Sequence, residues 1–126
     1  MAEIKKILYI EDEVDIQTIA KIALEDIGGF KLEVCSSGEE ALAKAEAFAP
    51  DLILLDVMMP GIDGPQTLEA LQKIASLKSI PAIFMTAKVQ TQEVQHLKSL
   101  GAIEVIAKPF DPMSLAQTIR ETVNNS

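Results

Sequence analysis

The chain has 126 residues, enough for one compact domain, and 48% of them are apolar, which is typical of a globular protein. Its net charge of −8 argues against direct nucleic-acid binding and against an anionic membrane surface, because both need clustered Lys and Arg. No apolar run approaches the ~20 residues of a membrane span, and none is long enough for a signal-peptide core. Cys35 is the only cysteine, so no internal disulfide is possible. We therefore expect a single cytoplasmic domain over residues 1–126.

The first predicted strand covers residues 7–10, and the helix that follows it has the clearest pattern in the sequence. Its apolar residues recur at the three- and four-residue spacing of one helix face. They are Ile16, Ile19, Ala20, Ala23, Leu24 and Ile27. We expect this face to be buried, and we expect Gly28 and Gly29 to end the helix.

Two more strands and two more helices are predicted in the middle of the chain. A strand at residues 32–35 precedes a helix that either Ser36 or Ser37 caps, since each has a Glu three residues later. Pro50 ends that helix. The strand at residues 52–55 is apolar without alternation, as expected when both faces of a strand are covered. The third helix has an inner face of Leu68, Leu71, Ile74 and Ala75.

The last two predicted strands, at residues 82–85 and 103–107, lie on either side of a fourth helix. Gly101 ends the fourth helix. A fifth helix begins at Asp111-Pro112, a capping residue followed by proline at the first helical position. The inner faces of these two helices are Val94, Leu97 and Leu100 in the fourth and Leu115, Ile119 and Val123 in the fifth.

The alternating order βαβαβαβαβα predicts an α/β fold. Strands separated by helices need right-handed crossovers and so form a parallel sheet. At this size, five strands favour a doubly wound, flavodoxin-like sheet with the strand order 2-1-3-4-5. Ligands of such sheets bind at the carboxyl ends of the strands, near the point where the strand order reverses. That point lies here between strands one and three.

Polar side chains follow four of the predicted strands: Glu11 and Asp12, then Asp56, Thr86 and Lys108. Each alone has an ordinary structural explanation, such as a helix-dipole partner, a turn residue or a solvated charge. Together they form three carboxylates whose repulsion calls for protonation or a cation such as Mg²⁺, beside an ammonium and a hydroxyl. Those groups suit phosphoryl transfer onto the Asp56 carboxylate.

These residues resemble the landmarks of the receiver domain of bacterial two-component response regulators. The landmarks are ILYIEDE at residues 7–13, DLILLDVMMPGIDG at 51–64, MTA at 85–87 and KPF at 108–110. They occur in the order and at the spacing of that family, and the resemblance covers essentially the whole chain.

The resemblance implies that Asp56 accepts a phosphoryl group from a histidine kinase or a histidine phosphotransfer protein. It implies that Mg²⁺ is bound by Asp12, Asp56 and the backbone carbonyl of Met58, with Glu11 acting through water. Met58 and Lys88 occupy the two positions that tune the lifetime of the phosphorylated state in the family. Because the Met58 side chain cannot orient a hydrolytic water by hydrogen bonding, we expect slow self-dephosphorylation.

The resemblance also implies that Thr86, Ala87 and Lys108 form the phosphate-contacting and switching part of the site, and that the Lys108–Pro109 peptide bond is cis. Family members usually carry Tyr or Phe three residues before the lysine, where this chain has Val105. Output then uses a different surface, or movement of the backbone and of helix four carries it. The usual output face, formed by helix four, strand five and helix five, is the expected site for a partner protein or a phosphorylation-dependent homodimer.

Three other functions fit parts of the sequence. An aspartate-based phosphatase needs a second acid two residues after the nucleophile, where Met58 stands. A flavodoxin-like electron carrier needs a glycine- and hydroxyl-rich phosphate loop after strand one, where residues 11–13 are acidic. A pseudo-receiver that acts as a scaffold gains slight support from Val105, but the intact Asp56, Thr86 and Lys108 argue against it.

Overall fold

Five strands and five α-helices alternate along residues 3–126, the part of the chain that the computed structural model describes. The strands are β1 Lys6–Ile10, β2 Lys31–Cys35, β3 Leu52–Asp56, β4 Ala82–Thr86 and β5 Glu104–Ala107. The helices are α1 Val14–Lys21, α2 Gly38–Phe48, α3 Gly64–Gln72, α4 Thr91–Ser99 and α5 Leu115–Asn124. Within residues 3–126, no helix combines the length and the apolar character that a membrane crossing requires.

All five strands are parallel and lie in the order β2-β1-β3-β4-β5, so the predicted doubly wound fold is confirmed. β3 lies in the middle of the sheet, and each of its residues is buried. Burial on both faces explains why residues 52–55 are apolar without alternation. Asp56, the last residue of β3, is the polar exception.

The sheet separates two apolar clusters, because successive residues of a strand point to opposite faces. Leu8 and Ile10 of β1 pack with residues of α2, α3 and α4 on one face. Ile7 and Tyr9 pack with residues of α1 and α5 on the other face. The central strands are therefore held by helices from both sides.

The predicted inner face of the first helix is wrong at two of its six positions. Ala20, Ala23 and Leu24 are buried, but Ile19 is 46% exposed and Ile27 is 44% exposed. α1 continues as a π-helical segment over Ile22–Ile27. A π-helix bonds each amide to the fifth residue back instead of the fourth, so its wider turn carries Ile27 away from the inner face.

The third and fifth helices have different boundaries from those predicted. α3 ends at Gln72, so Ile74 and Ala75 lie beyond it, and a 3₁₀ turn at Ala75–Leu77 follows. The Asp111-Pro112 pair opens a turn and not the helix itself. The Asp111 carbonyl accepts hydrogen bonds from the amides of Ser114 and Leu115, and α5 begins at Leu115.

Of the two serines that could cap the second helix, Ser37 does so. Its hydroxyl accepts a hydrogen bond from the Glu40 amide at 3.0 Å. The Glu40 carboxylate in turn accepts a hydrogen bond from the Ser36 amide at 2.7 Å. This reciprocal bonding fixes the turn that carries the chain from β2 into α2.

Candidate functional site

Two acidic residues lie side by side at the carboxyl edge of the sheet. β1 pairs with β3 in a register that places Ile10 opposite Leu55, so Glu11 and Asp56 each follow one member of that pair. Glu11 is fully buried, and Asp56 is 5% exposed. The strand order that was predicted from the sequence thus brings these two carboxylates together.

Asp12 completes a cluster of three carboxylates. One carboxylate oxygen each from Glu11, Asp12 and Asp56 lies within 4.8 Å of the others. Asp12 is half-buried, whereas the other two are buried. Three like charges at this separation repel one another unless protons or cations neutralise them.

Lys108 reaches this cluster from the loop after β5. Its Nζ lies 2.9 Å from Glu11 Oε1 and 3.2 Å from Asp56 Oδ1. The Lys108 amide donates to the Thr86 carbonyl at 2.9 Å, and the Lys108–Pro109 peptide bond is cis. One ammonium therefore contacts two of the three carboxylates.

The pKa values of these groups reflect their burial. Burial raises the pKa of Glu11, against the hydrogen bond from Lys108, and the charge of Asp56 raises it further. Burial also raises the pKa of Asp56, although the nearby Lys108 charge opposes this. Burial would lower the pKa of Lys108, but its hydrogen bond to Glu11 and the charges of both acids outweigh burial and raise it. Burial therefore disfavours the charged forms of Glu11 and Asp56, and the Lys108 ammonium offsets part of that effect.

The donor atoms of the cluster fit Mg²⁺, which prefers carboxylate oxygens and water. Both oxygens of Glu11 already accept hydrogen bonds, Oε1 from Lys108 and Oε2 from the Glu13 amide at 3.2 Å. Asp12 and Asp56 are consequently the acids best placed to ligate a cation directly, and Glu11 is better placed to act through water. The role of the Met58 carbonyl stays a prediction.

A cleft of about 270 Å³ opens beside Asp56. It is lined by Glu13, Ile16, Asp56, Met58, Thr86, Ala87, Lys88 and Lys108. The predicted phosphate-contacting residues Thr86, Ala87 and Lys108 therefore border the same cleft as the acceptor. The Thr86 Oγ1 accepts a hydrogen bond from the Lys88 amide at 3.1 Å, which leaves its own proton free to donate.

Val105, where the family usually has an aromatic ring, lies in β5 opposite Phe84. It is half-buried and packs against the cluster on the α2–α4 side of the sheet. It is not among the residues that line the cleft. The small Val105 side chain contacts the core. It has no polar atom that could form a hydrogen bond when Thr86 moves.

Two residues support the site in ways that the sequence patterns did not indicate. The side-chain amide of Gln17 donates through Nε2 to the Glu11 backbone carbonyl and, at 3.1 Å, to Ser36 Oγ, so it ties the loop after β1 to the loop after β2. Gly64 lies against the backbone of Asp56 so closely that a Cβ atom there would be 2.2 Å from the Asp56 carbonyl oxygen. Gly64 belongs to a family landmark, which was its only signal. Gln17 had none, because its partners come from other segments of the chain.

Comparisons with known proteins agree with this geometry. The family model for the response regulator receiver domain matches residues 7–120. Response regulator Rre1 of Synechocystis sp. is 33% identical over 120 residues, which is 95% of this chain and 52% of that protein. The alkaline phosphatase synthesis transcriptional regulatory protein PhoP of Bacillus subtilis is 36% identical over 122 residues, 97% of this chain and 50% of that protein. The chain thus spans about half the length of these curated relatives.

Solved structures give the same result. The chemotaxis response regulator CheY4 of Vibrio cholerae matches with a TM-score of 0.87 at 30% identity, covering 95% of this chain and 99% of that one. A CheY-like receiver domain protein from Methanospirillum hungatei matches with a TM-score of 0.83 at 28% identity, covering 98% and 96%. The sheet order, the residues at the strand ends and the family match over most of the sequence agree, and the chain belongs to the response regulator receiver domain family.

Proposed function

We propose that this chain is the phosphoacceptor switch of a two-component phosphorelay and that Asp56 receives the phosphoryl group. The observation that supports this most directly is the setting of Asp56. It ends the buried central strand, borders an open cleft, and has Lys108 Nζ 3.2 Å from its Oδ1. The donor is a histidine kinase or a histidine phosphotransfer protein. Residues 1–126 form one receiver domain that works in the cytoplasm and has no enzymatic substrate beyond its own phosphorylation and dephosphorylation.

In the proposed reaction, a carboxylate oxygen of Asp56 attacks the phosphorus atom, and the bond between phosphorus and the donor breaks. Lys108 offers its ammonium to the phosphoryl oxygens, and Thr86 offers its hydroxyl proton. Mg²⁺, held by Asp12, Asp56 and the Met58 carbonyl with Glu11 acting through water, would neutralise charge on those oxygens. Positioning and electrostatic stabilisation account for the whole reaction, as is usual for phosphoryl transfer.

Incubation with acetyl phosphate and Mg²⁺ tests this proposal. We expect the intact mass to rise by about 80 Da, the mass of one phosphoryl group, and to return to its original value as the acyl phosphate hydrolyses. The control is Asp56→Ala, which should show no increase. If wild type gains no mass, or if Asp56→Ala gains as much, the phosphoacceptor role is wrong and a pseudo-receiver scaffold becomes the better explanation.

The lifetime of the phosphorylated state gives a second prediction. The Met58 side chain lines the cleft, is 70% exposed and carries no group that can orient a water molecule for attack on phospho-Asp56. We expect a half-life of minutes or longer, measured as decay of the mass increase after excess acetyl phosphate is removed. Met58→Asn should shorten it several-fold, because an amide can hydrogen-bond water. Met113→Asn is the matched control, since Met113 is 74% exposed and does not line the cleft. A wild-type half-life of seconds contradicts the prediction.

The proposed output is a change in binding to a partner protein through the face formed by α4, β5 and α5, or a phosphorylation-dependent homodimer through the same face. On this face Lys98 of α4 and Glu104 of β5 form an ion pair at 3.2 Å. The relative PhoP is, by its name, a transcriptional regulatory protein. For this chain, a net charge of −8 favours a protein partner over direct contact with nucleic acid.

A further inference from the structure

Tyr9 lies in β1, and its hydroxyl group takes no part in the site described above. The residue is fully buried. Within residues 3–126, its hydroxyl is the single buried side-chain nitrogen or oxygen that lacks a hydrogen-bond partner. Such a group costs free energy, and most buried polar groups in proteins are paired, so this one calls for an explanation.

Tyr9 lies on the face of the sheet that also carries Glu11 and Asp56. Tyr9 pairs with Leu54 of β3, and both residues belong to the apolar cluster under α1 and α5. Since alternate residues share a face, Glu11 follows Tyr9 on that face and Asp56 follows Leu54. Burial, and after it the negative charges of Glu11 and Asp56, raise the pKa of Tyr9 far above its ordinary value. Tyr9 therefore shares its face of the sheet with two acids, and its hydroxyl has a proton that no group in the described part of the resting protein accepts.

Glu11 is the acid that would need a new donor when the site is loaded. Its buried Oε1 accepts from Lys108, whose Nζ also lies 3.2 Å from Asp56 Oδ1. A phosphoryl group on Asp56 would add about −1.5 to −2 charges beside the same ammonium. Lys108 would then be drawn toward the phosphoryl oxygens. The fully buried Glu11 carboxylate would lose part of the positive charge and hydrogen bonding that Lys108 gives it.

We propose that Tyr9 is a positioning residue whose hydroxyl donates a hydrogen bond to the Glu11 carboxylate in the phosphorylated state. In the resting protein the Tyr9 hydroxyl has no partner among the residues that the structure describes. After phosphorylation its hydrogen bond to Glu11 replaces the hydrogen bond that Lys108 gives up as it turns toward the phosphoryl group. The inference rests on the proposed function, because it concerns the same site after phosphorylation. It involves no covalent change at Tyr9.

The test uses Tyr9→Phe, which removes the hydroxyl and keeps the ring, with beryllium fluoride and saturating Mg²⁺ as a stable phosphoryl analogue. The unloaded variant should be as stable as wild type or more stable, since it loses only an unsatisfied group. The analogue concentration at half-saturation should rise about tenfold, the effect of one hydrogen bond to a charged acceptor. Ile10→Val is the control in the same strand: it removes one methylene on the opposite face and should leave half-saturation unchanged.

The absorbance of Tyr9 gives a second readout, because it is the only tyrosine of the chain and there is no tryptophan. A phenol that donates to a carboxylate absorbs at longer wavelength, so saturating wild type with the analogue should shift its tyrosine absorbance band to the red. Unchanged half-saturation in Tyr9→Phe, an equal change in Ile10→Val, or no red shift in wild type at saturation would each overturn the role of Tyr9. If wild type takes up neither acetyl phosphate nor beryllium fluoride, the proposed function fails as well, so the two failures are distinguishable.

Discussion

Mg²⁺ is expected to stabilise the wild-type protein against unfolding and to have almost no effect on Asp12→Ala. The reason is the cluster of Glu11, Asp12 and Asp56, whose carboxylate oxygens lie within 4.8 Å of one another beside one contacting ammonium. A ligand that binds only the folded state, at a concentration about 100 times its dissociation constant, adds about 2.7 kcal/mol to the free energy of unfolding. Urea denaturation in EDTA and in excess Mg²⁺ measures this difference directly.

The same experiment separates the role of Asp12 as a Mg²⁺ ligand from its repulsion of the neighbouring carboxylates. In EDTA, Asp12→Ala should be at least as stable as wild type, because it loses one of three mutually repelling charges. With Mg²⁺ present, it should also be phosphorylated far more slowly than wild type by acetyl phosphate. Asp15→Ala is the matched control, since Asp15 lies in the first turn of α1 and does not belong to the cluster. A full Mg²⁺ response in Asp12→Ala would show that the cation does not depend on this carboxylate.

Gly64→Ala is expected to lower the free energy of unfolding by about 3 kcal/mol, the upper end of the usual cost of forcing an atom into a packed region. An added Cβ would lie 2.2 Å from the Asp56 carbonyl oxygen and 2.9 Å from Val57 Cα. Both obstacles are backbone atoms, so no side chain can move aside to make room. The Gly64 amide also donates to the Val57 carbonyl at 2.9 Å, which holds the crowded segment in place.

Urea denaturation checks this prediction, and the rate of labelling by acetyl phosphate should fall with stability because the displaced backbone carries Asp56. Gly29→Ala is the control. Gly29 has φ +77°, and a Cβ added there would meet no atom within 4 Å, so the substitution should cost only about 1 kcal/mol of backbone strain. Its labelling rate should equal that of wild type. Wild-type stability in Gly64→Ala would mean that the loop after β3 yields more easily than its contacts indicate.

The sheet was predictable because its signal is local and repeated. An apolar run such as residues 52–55 predicts a buried strand, and regular alternation with helices predicts the parallel order that the structure has. The π-helical segment Ile22–Ile27 was not predictable, because a change of hydrogen-bond partner by one residue leaves no mark on the spacing of apolar residues. The start of α5 was misplaced because Asp111-Pro112 suits a turn as well as a helix.

The members of the site were easier to predict than their partners. The rule that ligands bind at the carboxyl ends of parallel strands was enough to select Glu11, Asp56 and Lys108. It did not reveal that Lys108 bonds to Glu11 more closely than to Asp56, at 2.9 Å against 3.2 Å. Nor did it reveal that the Tyr9 hydroxyl lacks a hydrogen-bond partner within residues 3–126, because the sequence of an apolar strand does not indicate which groups surround a tyrosine oxygen.

The contact between Lys108 and Glu11 joins residues 97 positions apart, which follow the second and the last strands in the spatial order of the sheet. Closing so long a loop costs conformational entropy before the contact can stabilise the fold. Until β5 has joined the sheet, Glu11 and Asp56 lack the Lys108 ammonium that contacts both of them. If Asp56 accepts phosphate as proposed, the site is complete only when the last strand has joined the sheet, so a partly folded chain is expected to respond poorly to its donor.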